Sequence, residues 1–400
     1  MRHEEPVFRD DEEQSGRSRH RGTGCGGDAA RALSRDFAAS VKAGPGPARP
    51  GPGECAPAGG ELRSWPVVSP VSKLCCCSSS SAGQPSAPEG IQLLDRPVSV
   101  KLVLRAGALN GERPGWDDRR GKLFWVDIRE PALHLLDPAS GEDTAWELPA
   151  WIGCFALDRA GDVVVALATG LYHLRLETGA LQPLAHAPFD PRRFIFNDGR
   201  CDPRGRFFAG AMYLPLKPGD QSGEPAGSPL WRYDGGGRWT AVTDPVKTSN
   251  GLAWSPDGRT MYHADTDPKV IWAYDYDLDS GTPSNKRVFA RLDVADTQGG
   301  PDGASVDSEG FYWTAVFANG ALLRFDPDGR LERRVPMPVT YPTMPVFGGP
   351  DLRTLFVTSA NWPKPPAWRA AHPDEGGVFA LDAPVPGLPP NRFDFGALTP

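Results

Sequence analysis

Ser249-Asn250-Gly251-Leu252-Ala253-Trp254-Ser255-Pro256-Asp257-Gly258-Arg259 is the stretch on which the reading of this chain turns. A polar residue enters, a short apolar run follows, and Pro256-Asp257-Gly258 reverses the chain. Asp-Gly between two apolar runs is a strong hairpin signal, because glycine accepts the positive φ that such turns need. The returning strand is Met261-Tyr262-His263-Ala264-Asp265. Val270 to Tyr276 supplies a third strand and Arg287-Val288-Phe289-Ala290 a fourth. Four antiparallel strands and their turns form one self-contained unit.

The same plan recurs from Val98 to the end. Six units are marked by the turn joining their first two strands: Trp116 to Gly121, Asp158 to Gly161, Asp202 to Gly205, Ser255 to Gly258, Asp307 to Gly310, and Gly349 to Arg353. Their spacing of roughly 40 to 53 residues is the period of a four-stranded propeller blade. Each turn is followed by an apolar strand, such as Leu123-Phe124-Trp125-Val126-Asp127 or Thr354-Leu355-Phe356-Val357. A further strand then ends in an acidic residue, as in Leu323-Arg324-Phe325-Asp326. Helical periodicity is hard to find. The expected fold is all-β, a six-bladed β-propeller of four-stranded antiparallel blades over residues 96–400, because six units close a ring and leave only short edges.

Residues 1–95 read differently. Pro, Gly, Ser, Ala and mixed charge dominate, as in Ala43-Gly44-Pro45-Gly46-Pro47 and Ser78-Ser79-Ser80-Ser81. Such a composition buries too little apolar surface to offset the entropy of ordering, so a disordered and dispensable extension is expected there. Five of the seven cysteines lie in it. Cys75-Cys76-Cys77 cannot all face one ion, and no second Cys/His group at zinc spacing accompanies them. Cys154 and Cys201 fall in apolar strand contexts and read as core thiols.

Bulk properties narrow the partners. A formal net charge of −7 and no Lys/Arg run in the repeats argue against nucleic acid. No apolar run reaches the roughly 18 residues of a membrane span, and the N-terminus lacks the apolar core of a signal peptide. A cytoplasmic monomer or weak oligomer is expected.

The polar residues entering the turns carry the chemistry. They are Glu112, Asn197, Asn250 and Asp302, within Gly111-Glu112-Arg113-Pro114, Phe196-Asn197-Asp198-Gly199, Ser249-Asn250-Gly251 and Gly300-Pro301-Asp302-Gly303. Taken singly, each is ordinary turn chemistry. At corresponding points of successive blades they converge on one mouth of the central channel. Two carboxylates and two amides make a hard oxygen set suited to Ca²⁺, Mg²⁺ or Mn²⁺. None of His134, His173, His186, His263 or His372 sits in a ligand-spaced pair, and no G-x-S-x-G elbow offers a serine nucleophile.

Residues from about 107 to 395 resemble the gluconolactonase/regucalcin (senescence marker protein) family of six-bladed propellers. The resembling stretches are Gly111-Glu112-x-Pro114-x-Trp116-Asp117, Leu123 to Ile128, Phe196 to Phe207, Ser249 to Ser255, Pro301-Asp302-Gly303, Phe347-Gly348-Gly349 and Leu355 to Thr358. The resemblance implies one divalent metal ion held by Glu112, Asn250 and Asp302, Ca²⁺ first, with Zn²⁺, Mn²⁺ or Mg²⁺ as alternatives. It implies that Asn197 contacts substrate or a water on the metal and that Asp302 is a general base. The implied reaction is hydrolysis of a sugar (aldono-)lactone to the aldonic acid.

Two departures bear on the substrate. Family members commonly carry Arg two residues before the Asn of Asn-Asp-Gly, where this chain has Ile195. Strand alternation would put Arg193, Ile195 and Asn197 on one face, so Arg193 and Ile195 are further candidate substrate contacts. Met212-Tyr213-Leu214-Pro215 also lacks the acidic residue often found there. Two rival functions remain: a calcium-binding regulatory protein, and a non-catalytic propeller serving as an interaction platform. The convergent oxygen ligands speak against the second.

Overall fold

The computed structural model describes residues 98–214, 227–292, 299–361 and 364–398. The expectations for residues 1–95, and for Pro215, fall outside them. Six four-stranded antiparallel sheets form a ring, as the turn spacing predicts. The inner strands are Gly111–Asp117, Ile152–Leu157, Phe194–Cys201, Ser249–Trp254, Pro301–Val306 and Pro342–Gly348 for blades 1 to 6. In blades 1 to 5 the strands pair in chain order from the inside out. Blade 6 takes its outer strand from the other end of the propeller region: Lys101–Leu104 pairs with Val378–Asp382, Lys101 opposite Ala380. That pairing closes the ring.

A hydrophobic cluster fills each gap between neighbouring blades. Phe124, Val126 and Leu133 of blade 1 meet Phe155, Val163 and Val165 of blade 2. Tyr262 and Ile271 of blade 4 meet Tyr312 and Leu323 of blade 5. Trp116 and Trp125 meet Phe356 and Val378 across the closing gap. Inner strands are therefore covered on both faces; all six residues of Ser249–Trp254 and of Pro301–Val306 are buried. Cys154 and Cys201 are free thiols in the gap between blades 2 and 3, as their strand context predicts.

Each inner strand carries one extra residue relative to its neighbour. The register slips between Glu112 and Gly115, Ile152 and Cys154, Phe196 and Gly199, Asn250 and Ala253, Pro301 and Ala304, and Pro342 and Met344. A bulge bends a strand and re-aims its side chains. Six of them at matching depth place a ring of side chains over one end of the channel.

At the other end the hairpin turns are pinned by buried aspartates. Asp117, Asp158, Asp202 and Asp307 are each at most 2 % exposed. Each accepts backbone N–H bonds from its own turn, as Asp202 Oδ1 does from Arg204 and Arg206. Each also meets a cation or imidazole: Arg120 and Arg392, His173, Arg206, and Arg324 respectively. The C-terminal segment crosses this end, bridging Asp307 to Gly387 and Asp158 to Phe393. Pairing of strands and turns did not anticipate two short helical pieces, α-helical Pro366–Ala371 and 3₁₀-helical Phe395–Ala397. Neither buries a residue, so neither has an apolar face to show in the sequence. No helix among the described residues is long and apolar enough to cross a membrane.

Candidate active site and metal centre

Glu112, Asn197, Asn250 and Asp302 stand at one depth. The intervals 112 to 117, 197 to 202, 250 to 255 and 302 to 307 are each five residues, measured to the residue that opens the turn. Blades 2 and 6 place Gly153 and Met344 at that depth. A Cβ on Gly153 would lie 2.1 Å from the Phe196 carbonyl oxygen, so that blade can offer no side chain to the ring.

A chain of hydrogen bonds orients the two amides. Thr266 Oγ1 donates to the Pro301 carbonyl at 2.8 Å, which leaves its lone pair to accept Asn250 Nδ2 at 2.8 Å. Asn250 Oδ1 then faces Asn197 and accepts its Nδ2 at 2.9 Å. The other hydrogen of that Nδ2 goes to the Ser249 carbonyl, also at 2.9 Å. Both amide flips follow from a carbonyl that cannot donate, at Ser249, and a hydroxyl whose proton is already committed, at Thr266. Among the described residues Asn197 Oδ1 has no hydrogen-bond partner, and Asn250 Oδ1 keeps a second lone pair. Ser249 is held in turn by its hydroxyl, 2.7 Å from Nε2 of fully buried His263. Burial pushes that imidazole down to about 3, so it is neutral.

Gly251 permits the close approach next to Asn250. It has φ +59°, and a Cβ there would lie 2.2 Å from the Tyr312 hydroxyl, which donates to its carbonyl. Arg113 adopts φ +45°, which is uncommon outside glycine and marks local strain beside Glu112. Its N–H turns back to Glu112 Oε2 at 2.8 Å.

The carboxyls are poorly compensated. Burial raises Glu112 to about 8, the Arg113 N–H bond opposes this, and the nearby charge of Asp198 adds to it. Asp302, 7 % exposed, is pushed well above the carboxylate range by burial and then by Glu112 and Asp198. Asp198 is 5 % exposed; its Oδ2 accepts Leu252 N–H, while Oδ1 is buried without a partner. Three acidic side chains that feel one another, one with an orphaned oxygen, at the depth of two hydrogen-bonded amides, are a donor set of the kind a hard divalent cation takes. Sequence reasoning missed Asp198, which reads as turn chemistry inside Asn197-Asp198-Gly199.

The substrate-side expectations divide. Ile195 lies in its strand opposite Met212 and is buried. Arg193 does not share its alternation, because the strand begins at Phe194 and Arg193 belongs to the preceding turn. Its guanidinium lies over the Tyr213 ring, 5.6 Å from the centroid.

Among the described residues, the group of acidic and histidine side chains with ligand-like spacing lies elsewhere, and it is not formed by Glu112, Asp198 and Asp302. Asp158, Asp162 and His173 bring ligand atoms within 4.8 Å of one another, a grouping that linear spacing did not show. It lies at the turn end of blade 2, away from the amides. Asp158 Oδ1 accepts Gly161 and Asp162 N–H, and its Oδ2 meets His173. Asp162 is taken by Leu176 N–H and Arg175. His173 stands where the other blades use arginine, so this group belongs to the turn-pinning set. A cavity of about 340 Å³ also lies toward that end, lined by Arg113, Arg200 and Trp254 rather than by the four converging residues.

Comparison with known proteins agrees with the fold. The family model of the SMP-30/gluconolactonase/LRE-like region matches residues 110–361. The chain belongs to this family. It is 40% identical over 291 residues to 6-deoxy-6-sulfogluconolactonase of Pseudomonas putida, covering 72% of this chain and 96% of that one. Regucalcin of Gallus gallus is 34% identical over 285 residues, covering 71% and 94%. The crystal structure of regucalcin from Agrobacterium tumefaciens, described as a calcium-binding protein, superposes with a TM-score of 0.68 at 29% identity, covering 75% and 98%. The family match spans every one of the converging residues, from before Glu112 to beyond Asp302.

Proposed function

We propose that this chain hydrolyses a sugar (aldono-)lactone to the aldonic acid, using one divalent ion bound by Glu112, Asn250 and Asp302. The observation that carries the reading is the uncompensated group of three carboxyls, Glu112, Asp198 and Asp302, that feel one another at the depth of two amides held by their own hydrogen bonds. Such a site is unfavourable when empty and favourable when a cation is present. The oxygen-only donor set favours Ca²⁺, with Mn²⁺, Mg²⁺ or Zn²⁺ as alternatives. A divalent ion in that position supplies Lewis acidity toward a carbonyl and acidifies water.

The residues of the chain do the rest. Asn197, held by Ser249 and Asn250, presents its amide to the lactone. Asp302 accepts a proton from the attacking water as the new C–O bond forms at the carbonyl carbon. The ring C–O bond then breaks, and Asp302 returns the proton to the departing ring oxygen. Water has been added, and the product carries a carboxyl and a hydroxyl group. Ile195 would supply an apolar wall where the family commonly carries arginine. The 40% identity to a lactonase named for a sulfonated gluconolactone supports the aldonolactone class.

A panel of pentono- and hexonolactones tests this. Turnover should vanish on chelation and return with a divalent ion; undiminished turnover in verified metal-free protein would sink the mechanism. The regucalcin relatives favour a second reading, a calcium-binding regulatory protein. Saturable Ca²⁺ binding with no turnover on any lactone would select it.

A further inference from the structure

Beneath the acidic ring the channel turns basic. Arg113 of blade 1 donates Nε to the Gly199 carbonyl of blade 3 at 2.6 Å and Nη1 to Pro114 at 3.0 Å. Arg200 of blade 3 donates Nη2 to the Ala304 carbonyl of blade 5 at 2.6 Å. The two guanidiniums thus tie alternate blades across the channel. Among the described residues neither has a carboxylate at ion-pair distance. Their counterparts at the turn end do: Arg206 pairs with Asp202 and Arg324 with Asp307.

Donors remain unused here. Among the described residues Arg200 Nε is buried without a hydrogen-bond partner. Both arginines line the cavity of about 340 Å³, together with Trp116, Phe155 and Trp254, and the C-terminal residues Leu388 to Asn391 form its floor. No Asp or Glu lines it. Trp254 is 5 % exposed, and its Nε1–H also lacks a partner. A buried indole N–H normally finds an acceptor, and two cations sharing a dry cavity repel each other. Burial and the charge of Arg113 together pull Arg200 down to about 10.

We propose that this cavity binds a small oxyanion of the carboxylate or phosphate class, gripped by Arg113, Arg200 and the indole N–H of Trp254. The planar forks of two guanidiniums and one fixed indole donor suit an anion with several oxygens better than a halide. The site is separate from the acidic ring, which repels anions when no cation is present.

The test uses the full chain in chelator, titrated at constant ionic strength with inorganic phosphate, acetate or chloride, and read by thermal denaturation and calorimetry. Phosphate or acetate should raise Tm saturably, chloride should not, and the stronger of the two oxyanions identifies the class. Trp254→Phe should weaken that binding by up to about tenfold, ~1.4 kcal/mol. Arg200→Met should abolish it. Absence of saturable stabilisation by either oxyanion overturns the proposal. So does binding that survives Arg200→Met unchanged; if that variant does not fold, undiminished binding in Trp254→Phe has the same force.

Discussion

At the turn end of the channel, Asp117, Asp158, Asp202 and Asp307 are buried, saturated with backbone N–H bonds and faced by Arg or His. At the opposite end, Glu112, Asp198 and Asp302 are enclosed by the same six strands yet have one backbone donor each. The residue type is nearly the same and the depth in the strand differs by only four or five residues. A fold that needs buried aspartate for its turns supplies the partner cation from its own chain. Where it withholds one, the uncompensated charge is better explained by something that binds than by stability.

The contrast breaks most visibly by truncating one member of each set. Asp202→Ala leaves Arg206 buried without its ion-pair partner and strips Tyr276 of an acceptor at 2.6 Å. Breaking a buried pair in this way costs ~3–5 kcal/mol of stability, and no metal should restore it. Chemical denaturation checks this; a loss below about 1 kcal/mol would place Asp202 with ordinary surface turns. Asp302→Asn should do the reverse. Metal-free stability should hold or rise, because a repelled carboxyl is gone. Turnover at metal saturation should fall by ~10² or more, the lower range for a lost general base. Asn250→Ala should regain activity as metal is added. If Asp302→Asn recovers as fully, Asp302 is a ligand only.

The repeat made most of this legible. Turns recurring roughly every 40 to 53 residues located six blades, and polar residues at corresponding points of successive blades picked out Glu112, Asn197, Asn250 and Asp302. The closing strand was not legible. Lys101–Leu104 is four residues long, none of them fully buried, and its partner strand begins more than 270 residues later. Asp198 escaped because its difference from any other turn aspartate is the bond its Oδ1 does not make, which only three dimensions show. Arg193 was misplaced because alternation was extended through a residue that the Asp190 turn removes from the strand. The basic layer hides for the opposite reason: Arg113 and Arg200 are unremarkable until no carboxylate among the described residues is found at ion-pair distance from either guanidinium.

Proton linkage sharpens the same comparison. Glu112 has a folded-state pKa raised from 4.5 to about 8, chiefly by burial, so the folded chain holds that proton more tightly than the unfolded one. Its contribution is then greatest below about 4.5 and is lost as pH rises toward 8. Chelated protein should lose ~1.4 kcal/mol or more between pH 5.5 and 8.5, at least one pKa unit's equivalent. Glu112→Gln should flatten the slope, and saturating divalent ion should remove it. A chelated wild type whose stability is level or rising across that window would mean the acidic ring is already compensated.

The smallest expected effect concerns the amide flips. Thr266 Oγ1 is the only described acceptor of Asn250 Nδ2, and its own proton is fixed on the Pro301 carbonyl. Thr266→Val keeps the shape and removes both bonds. Asn250 can then rotate and turn Nδ2, a donor, toward the carboxylates, presenting the wrong atom to a cation. One neutral hydrogen bond is worth ~0.5–1.5 kcal/mol, so metal affinity should fall about three- to tenfold. Turnover at saturating metal should be unchanged, because Asp302 and Asn197 remain in place. Thr266→Ser should retain wild-type affinity by keeping the hydroxyl. If Thr266→Val binds metal as tightly as wild type, Asn250 is oriented by Asn197 alone, and the hydrogen-bond relay from blade 5 to blade 3 serves the fold and not the site.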